Sequence, residues 1–461
     1  MKILIIDKEL NKIETPQGTI TLTSIFIPFF LEIMLLNMMG TVNTIMLGHY
    51  SDNAVAAVGA ASQLMGMIFT FYTVISTGAS IVISHNLGAN NEKSASDAAF
   101  TSIIFSGLLS LTIGVILSIF AYPIMSLMQI KDSLLLEAST YFRISMIFSF
   151  VQATISSFSA IFRSYGKPKT AVTVSLFMNI INAILTFIVI FRPFETPLQG
   201  VRGIAISYVI SQVCALILIL ILFAKTPLDL QFSKKSFKTL KTIKNILYIG
   251  IPGGISSLSY SMSQVVSTSI IAVLGVTAIS AKIYLSNVFF YVYVIGLSLG
   301  LSTSLMIGWL AGAGKYEQAY RLNRQNLKIT ISINILISLL ILVFGNKIIS
   351  LFTNNTEIIA ISRIIMIIDI LVEIGRGFNH IEENSLRGAG DVFFQMIISI
   401  ISCWSMSIFF SYILGIKLSL GLAGCWIAFA MDELFRGTIY FLRWNSRKWT
   451  QKSLLDNNKV S

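Results

Sequence analysis

Charge is what this sequence has least of. Asp, Glu, Lys and Arg together make up 12% of its 461 residues, against about a quarter in ordinary soluble chains. With 55% hydrophobic residues and a mean hydropathy of +0.79, the chain is not one that water alone would hold folded. Histidine is nearly absent. His49, His85 and His380 are scattered without partners at ligand spacing, which argues against a metal site. Cys214, Cys403 and Cys425 each lie in a separate apolar run, again without metal-ligand spacing. No Gly-x-x-x-x-Gly-Lys-Ser/Thr occurs, so direct ATP drive is not expected. The opening MKILIIDKELNKIETPQGTITL carries Asp7, Glu9 and Glu14 and has no apolar core before a small-residue cleavage site. It reads as a cytoplasmic lead-in over 1–20, not as a signal peptide.

What is abundant is long apolar sequence. Runs fall near 21–48, 54–85, 97–122, 134–163, 170–191, 201–224, 245–274, 277–311, 327–346, 357–386, 392–416 and 421–442. Each approaches or exceeds the roughly 20 residues a helix needs to cross a hydrocarbon core, and alternating barrel strands are lacking. The expected fold class is therefore an all-α membrane protein with twelve transmembrane helices. The net charge of +12 does not point to nucleic acid, because the basic residues sit in short segments between apolar runs. With a cytoplasmic N-terminus, the inner segments collect Lys93, Arg163, Lys167, Lys169, six lysines of 225–244, Lys315, Arg321, Arg324 and Arg387. The outer loops hold only Lys131, Arg192, Arg202, Lys347 and Lys417. That bias predicts both termini on the cytoplasmic side of a cell membrane.

The basic stretch 225–244 mixes lysines with Phe232, Phe237 and Leu240 and is expected to divide two halves, 21–224 and 245–443, ahead of a basic tail over 444–461. A single shift of 224 residues relates the halves. Pro28 meets Pro252, LGANN (87–91) meets AGAGK (311–315), and FRSYG (162–166) meets LRGAG (386–390). At a shift of 221, GVRGIAIS (200–207) meets GLAGCWIA (421–428), both opening a small-residue face that packs closely. Six spans per copy is an even number, so the copies enter the membrane in the same direction, as two pseudo-symmetric six-helix lobes. Parallel repeats of this kind suit alternating access to a midplane cavity.

Ionisable residues inside spans carry the chemical argument, since a charge at the bilayer centre costs at least about 2.5 kcal/mol. Glu32 and Asn43, eleven residues apart, return to one face of the first helix. Glu32 is a candidate cation-coupling carboxylate, or else a packing group. Asp369, Glu373 and Arg376 share a stripe of the tenth helix, with an acid in excess of the base; they offer a cation site or a locked ion pair. Asp432, Glu433 and Arg436 repeat the theme in the twelfth helix, and Lys282 is a candidate partner across the lobe. Asn179, Asn182 and Thr186 line a stretch of the fifth helix, as oxygen ligands or as interhelical glue. Abundant Met and aromatic residues suit variable lipophilic cargo, although most of them face lipid.

The run TVNTIMLGHYSDNAVAAVGAASQ (41–63), the loop HNLGANN, FRSYGKPKTA and NSLRGAGD together resemble the MATE family of multidrug and toxic compound extrusion transporters, over nearly the whole chain. The resemblance implies a V-shaped pair of six-helix bundles and export of drugs or metabolites in exchange for Na⁺ or H⁺, without a cofactor and as a monomer. Members often carry aspartate where this chain has Asn43, another where it has Thr186, and in some a glutamate where it has Tyr260. The coupling role therefore passes, as an expectation, to Glu32 or to the Asp369/Glu373 stripe. Within transport, a lipid-linked or polysaccharide flippase is the alternative, for which Lys282 and Arg376 would supply cations. A membrane-embedded enzyme would need a compact nucleophile–base or metal-ligand cluster, and none is legible.

Overall fold

A computed structural model describes residues 12–15, 18–128, 132–193, 198–226, 228 and 240–452. Lys131, most of the 225–244 linker, most of the 1–20 lead-in and the end of the 444–461 tail lie outside the described residues. Within the lead-in, Lys12–Thr15 (β1) pairs antiparallel with Gly18–Thr21 (β2). This hairpin is the one departure from an all-helical chain among the described residues.

The first half consists of α1 (Leu22–Tyr50), α2 (Asp52–Gly88), α3 (Glu92–Ile119), the short α4 (Ala121–Leu127), α5 (Asp132–Ile147), α6 (Ser149–Ser164), α7 (Pro168–Phe191) and α8 (Gly200–Lys225). The second half consists of α9 (Leu240–Val273), α10 (Val276–Gly312), α11 (Tyr316–Ser350), α12 (Thr356–Gly388), α13 (Val392–Ser402) and α14 (Gly421–Asn445). α13 continues as π-helix through Cys403–Phe409 and Ser411–Lys417. Counting α5 with α6 as one bent span and leaving out the seven-residue α4 gives twelve long helical segments in the order the apolar runs predict. Among the described residues, eight helices are long and apolar enough by composition to cross a membrane, and nine with the bent pair. α9, α12 and α14 are long enough but carry more polar residues, and α12 and α14 hold most of the buried charges among the described residues. The predicted fourth span is broken: its two pieces meet at Phe148 with a bend of 47°.

The internal repeat is visible in the backbone. Asn90 and Gly314 both take left-handed φ (55° and 70°), as do Gly166 and Gly390 (71° and 89°), each pair 224 residues apart. Their loops close with matching bonds. Lys167 N–H donates to Phe162 O at 2.8 Å and Asp391 N–H to Leu386 O at 2.9 Å; Asn91 donates to Asn86 and Lys315 to Leu310, both at 2.8 Å. These are helix C-caps in which a left-handed residue lets the next N–H reach back to an orphan carbonyl. Gly200 and Gly421, 221 residues apart, match likewise (φ 59° and 58°). The glycines three residues on are packed tight. A Cβ on Gly203 would meet Val189 Cγ1 at 2.8 Å, and one on Gly424 the Leu414 carbonyl carbon at 2.6 Å.

Two compact units result. One comprises Ile27–Leu87 and Asn91–Ile251; the other comprises 88–90 and the residues from Pro252 onward, with the described residues before 27. The division thus falls at Pro252, inside α9. In the first unit, Leu47, Met65, Phe142 and Met146 anchor an apolar core. Beside it, α2, α3 and α6 meet through hydroxyls: Ser106 and Ser157 at 2.7 Å, Ser80 and Ser164 at 2.9 Å, Tyr72 and Ser149 at 3.2 Å. Small side chains let helix backbones approach, and each hydroxyl finds a partner that lipid cannot supply. The second unit has its own core around Leu285, Phe289, Ile365 and Trp426. Side chains on the outer faces of the long helices are apolar and exposed, as at Ile45, Leu108, Val343 and Ile397. Such surface is stable against hydrocarbon and not against water.

Candidate functional site

Charged side chains that would have to be desolvated gather in the second unit, on α12 and α14. Asp369 (1% exposed), Glu373 (0%), Asp432 (3%), Glu433 (6%) and Arg436 (4%) are buried, with Arg376 beside them. Helical spacing puts Glu373 and Arg376 on adjacent turns, where they pair at 2.5 Å. Arg376 also reaches Glu433 at 3.7 Å, which links α12 to α14. Arg436 holds Asp432 at 2.9 Å and Glu433 at 3.2 Å. The remaining acceptors are met from neighbouring helices. Asn334 of α11 donates to Glu373 O and Oε2 at 2.9 and 3.3 Å. Asn379 donates to both the Glu433 carboxylate and its backbone oxygen, and Ser402 donates to Asp432 Oδ1 at 2.5 Å. The close approach of α12 to α14 depends on glycine: a Cβ on Gly375 would meet Glu433 Cβ at 2.7 Å, and one on Gly437 would meet Phe378 Cβ at 2.6 Å.

Asp369 differs from the other three acids. Trp426 Nε1 donates to its Oδ1 at 2.8 Å, its Oδ2 has no partner among the described residues, and both guanidiniums are engaged elsewhere. Four carboxylates thus share two guanidiniums. Next to them is a small cavity of about 50 Å³ lined by Tyr260, Lys282, Arg376, Trp426, Asp432 and Glu433. Tyr260 stands over Arg436, whose guanidinium carbon lies 5.8 Å from its ring centre. Lys282 makes a close contact with the Thr268 hydroxyl.

The candidates of the first unit fall in two places. Glu32 is bound through both oxygens by Arg163 of α6, at 2.8 and 2.9 Å, and the same guanidinium lies 5.1 Å from the Phe29 ring centre. Asn43 accepts a long bond from the Thr186 hydroxyl at 3.5 Å. The two positions at which the resemblance leads one to look for aspartates are therefore neighbours, both uncharged. Asn179, in the middle of α7, donates back to Ser175 O one turn earlier at 2.8 Å, and Asn182 is buried with its Nδ2 unpaired among the described residues. Thus Asp369, Glu373, Arg376, Asp432, Glu433, Tyr260 and Lys282 come together, as do Asn43 and Thr186, while Glu32 is paired with Arg163.

Sequence reasoning passed over the polar stripe of α11: Asn323, Asn326, Thr330, Asn334 and Ser338 are all buried. Their recurrence every three or four residues inside an apolar span was the available signal. It also passed over Glu382, and over Glu383, which is tied to Arg387 at 2.6 Å and to Gln395 at 2.9 Å.

Long apolar helices, apolar outer faces and buried charge beside a cavity define an integral membrane protein, and its family and relatives make it a transporter, not an enzyme. The chain belongs to the MatE family, whose model matches residues 28–188 and 252–413, beginning at the two repeat-related prolines. It is 37% identical to the uncharacterized transporter YisQ of Bacillus subtilis over 95% of this chain and 96% of that one. It is 26% identical to the probable multidrug resistance protein NorM of Thermotoga maritima over 100% and 99% of the two chains. Among solved structures, an outward-facing multidrug resistance MATE family transporter of the MOP superfamily aligns with a TM-score of 0.84 at 22% identity, covering 96% of this chain and 98% of that one. A MOP superfamily transporter from Pyrococcus furiosus aligns at 0.82 and 21%, covering 94% and 96%.

Proposed function

We propose that this protein exports small lipophilic, often cationic molecules across the cell membrane by alternating access, in exchange for H⁺ or Na⁺. Both termini are cytoplasmic in this reading, the transporter works as a monomer, and the repeat lobes 21–224 and 245–443 are its moving halves. Relatives that carry the name multidrug resistance protein support efflux of this kind. The coupling ion binds in the second unit, at Asp369 and Glu373 beside Asp432 and Glu433.

The observation that carries the reading is the unpaired Asp369 Oδ2, buried in a cluster where acids outnumber guanidiniums four to two. A buried uncompensated carboxylate is costly unless a cation or proton accompanies it, so its charge state is linked to ion occupancy. Glu32, the other candidate, is already compensated by Arg163. Tyr260 occupies the place of the glutamate some members carry in their seventh helix, and Asp432 and Glu433 supply carboxylates to the same cavity from α14. The acidic excess persists even with Lys282 counted, which favours cationic cargo over the anionic head groups of a flippase.

The test is dye efflux from proteoliposomes with the proton and Na⁺ gradients imposed separately. Wild type should respond to one of them, and Asp369→Asn should lose that response while still binding dye. Undiminished gradient-driven efflux in the variant would overturn the assignment.

A further inference from the structure

Beyond the Asp369 cluster, α12 buries a second acid that no guanidinium pairs. Glu382 is 0% exposed, and its Oε2 accepts from Asn323 Nδ2 of α11 at 3.2 Å. Asn323 Nδ2 is shared with Ser385 Oγ at 2.9 Å, and Asn326 Nδ2 is taken by Thr303 Oγ1 of α10 at 2.9 Å. Three buried oxygens are then left without a donor among the described residues: Glu382 Oε1, Asn323 Oδ1 and Asn326 Oδ1. Ionised carboxylates and amide oxygens only accept, so this group of side chains has acceptors in excess of donors.

The neighbouring charges are committed elsewhere. Arg324 of α11 is the guanidinium whose field reaches Glu382, but it is bonded to Tyr320 Oη at 3.2 Å and to Asn445 Oδ1 at 2.5 Å and stacked 4.2 Å over Phe441. On α12, Glu383 pairs with Arg387 at 2.6 Å and His380 packs on Tyr293 at 5.1 Å. On α14, Arg443 pairs with Asp391 at 2.7 Å. On α10, the Thr303 hydroxyl accepts from Asn326. A single proton on Glu382 removes an uncompensated buried charge and turns an acceptor into the donor the site lacks.

We infer that Glu382, bonded to the Asn323 amide of α11 that also holds Ser385 of α12, is a second proton-binding site of this transporter, separate from the Asp369–Glu433 cluster. Its proton leaves and returns during the cycle; that coupling role rests on the export reading above, whereas proton binding itself does not.

The experiment is infrared difference spectroscopy of the full-length protein in lipid through a pH step, following the carbonyl band of a buried carboxylic acid. Glu382→Gln, which keeps the shape of the neutral acid, should lose one such band that Asp369→Asn/Glu373→Gln retains. An unchanged spectrum in Glu382→Gln, a band that does not respond to pH, or its removal by Na⁺ at fixed pH would each overturn the inference. In proteoliposomes Glu382→Gln should also move the pH dependence of efflux, and an identical pH profile would remove the coupling role. Loss of the band together with normal gradient response in Asp369→Asn would sink the proposed function and leave this site standing.

Discussion

Arg163 and Glu32, 131 residues apart, form an ion pair that ties α6 to α1, with Arg163 Nη1 donating to both carboxylate oxygens at 2.8 and 2.9 Å. Both side chains are mostly buried, 16% and 13% exposed, so the pair lies between a surface bridge and a fully desolvated one. Removing one partner leaves the other charge with no replacement. Glu32→Ala is expected to destabilise the protein by about 1–3 kcal/mol. The reciprocal exchange Glu32→Arg/Arg163→Glu should recover part of that loss. Thermal unfolding in detergent followed by intrinsic fluorescence measures both, and a silent Glu32→Ala would show that the pair contributes nothing.

Arg376 bridges Glu373 and Glu433, and so joins α12 to α14 through charge. Arg376→Gln strands two buried carboxylates and should cost about 3 kcal/mol. In the double variant Arg376→Gln/Glu373→Gln the interaction is removed from both sides, and most of the stability should return. A double-mutant cycle on denaturant unfolding reads the coupling; strict additivity would mean that the two residues do not interact.

Asn43 and Thr186 face each other without charge in the first unit. Asn43→Asp places a carboxylate within reach of the Thr186 hydroxyl, at the position where the resemblance leads one to look for aspartate. The expected result is partial return of gradient-driven dye efflux when Asn43→Asp is added to Asp369→Asn. No return above the Asp369→Asn background would show that the first unit cannot couple through this position.

Gly375 lies against Glu433 with no room for a side chain. Gly375→Leu should push α12 from α14, costing about 1–3 kcal/mol from overpacking and separating Arg376 from Glu433. Its unfolding temperature and its gradient response should fall together, and a stable, fully active variant would contradict the packing described here.

Much of the fold was legible because lipid simplifies the code. Every one of the twelve spans follows from runs long enough to satisfy the backbone inside hydrocarbon, and the duplicated LGANN/AGAGK and FRSYG/LRGAG loops keep their left-handed residues in place. The break at Phe148 was not legible, since the apolar run continues through it. Nor was the early start of α11, whose first turns carry Glu317, Arg321 and Arg324 and project beyond the apolar run. The site was half legible. The spacing of Asp369, Glu373 and Arg376 announced one stripe, but that Asn334, Asn379 and Ser402 would complete it depends on contacts between helices distant in sequence.

Hydropathy and repetition, which are properties of neighbours along the chain, determined the membrane class, the number of spans and the two-copy design. Only tertiary packing decided which acids are free. Glu32 and Asp369 are the same kind of residue in the same kind of helix, yet one meets a guanidinium from α6 and the other only an indole N–H from α14. Compensation of a buried charge is set by what the opposing helix presents within about 3 Å, and one-dimensional spacing carries no record of that distance.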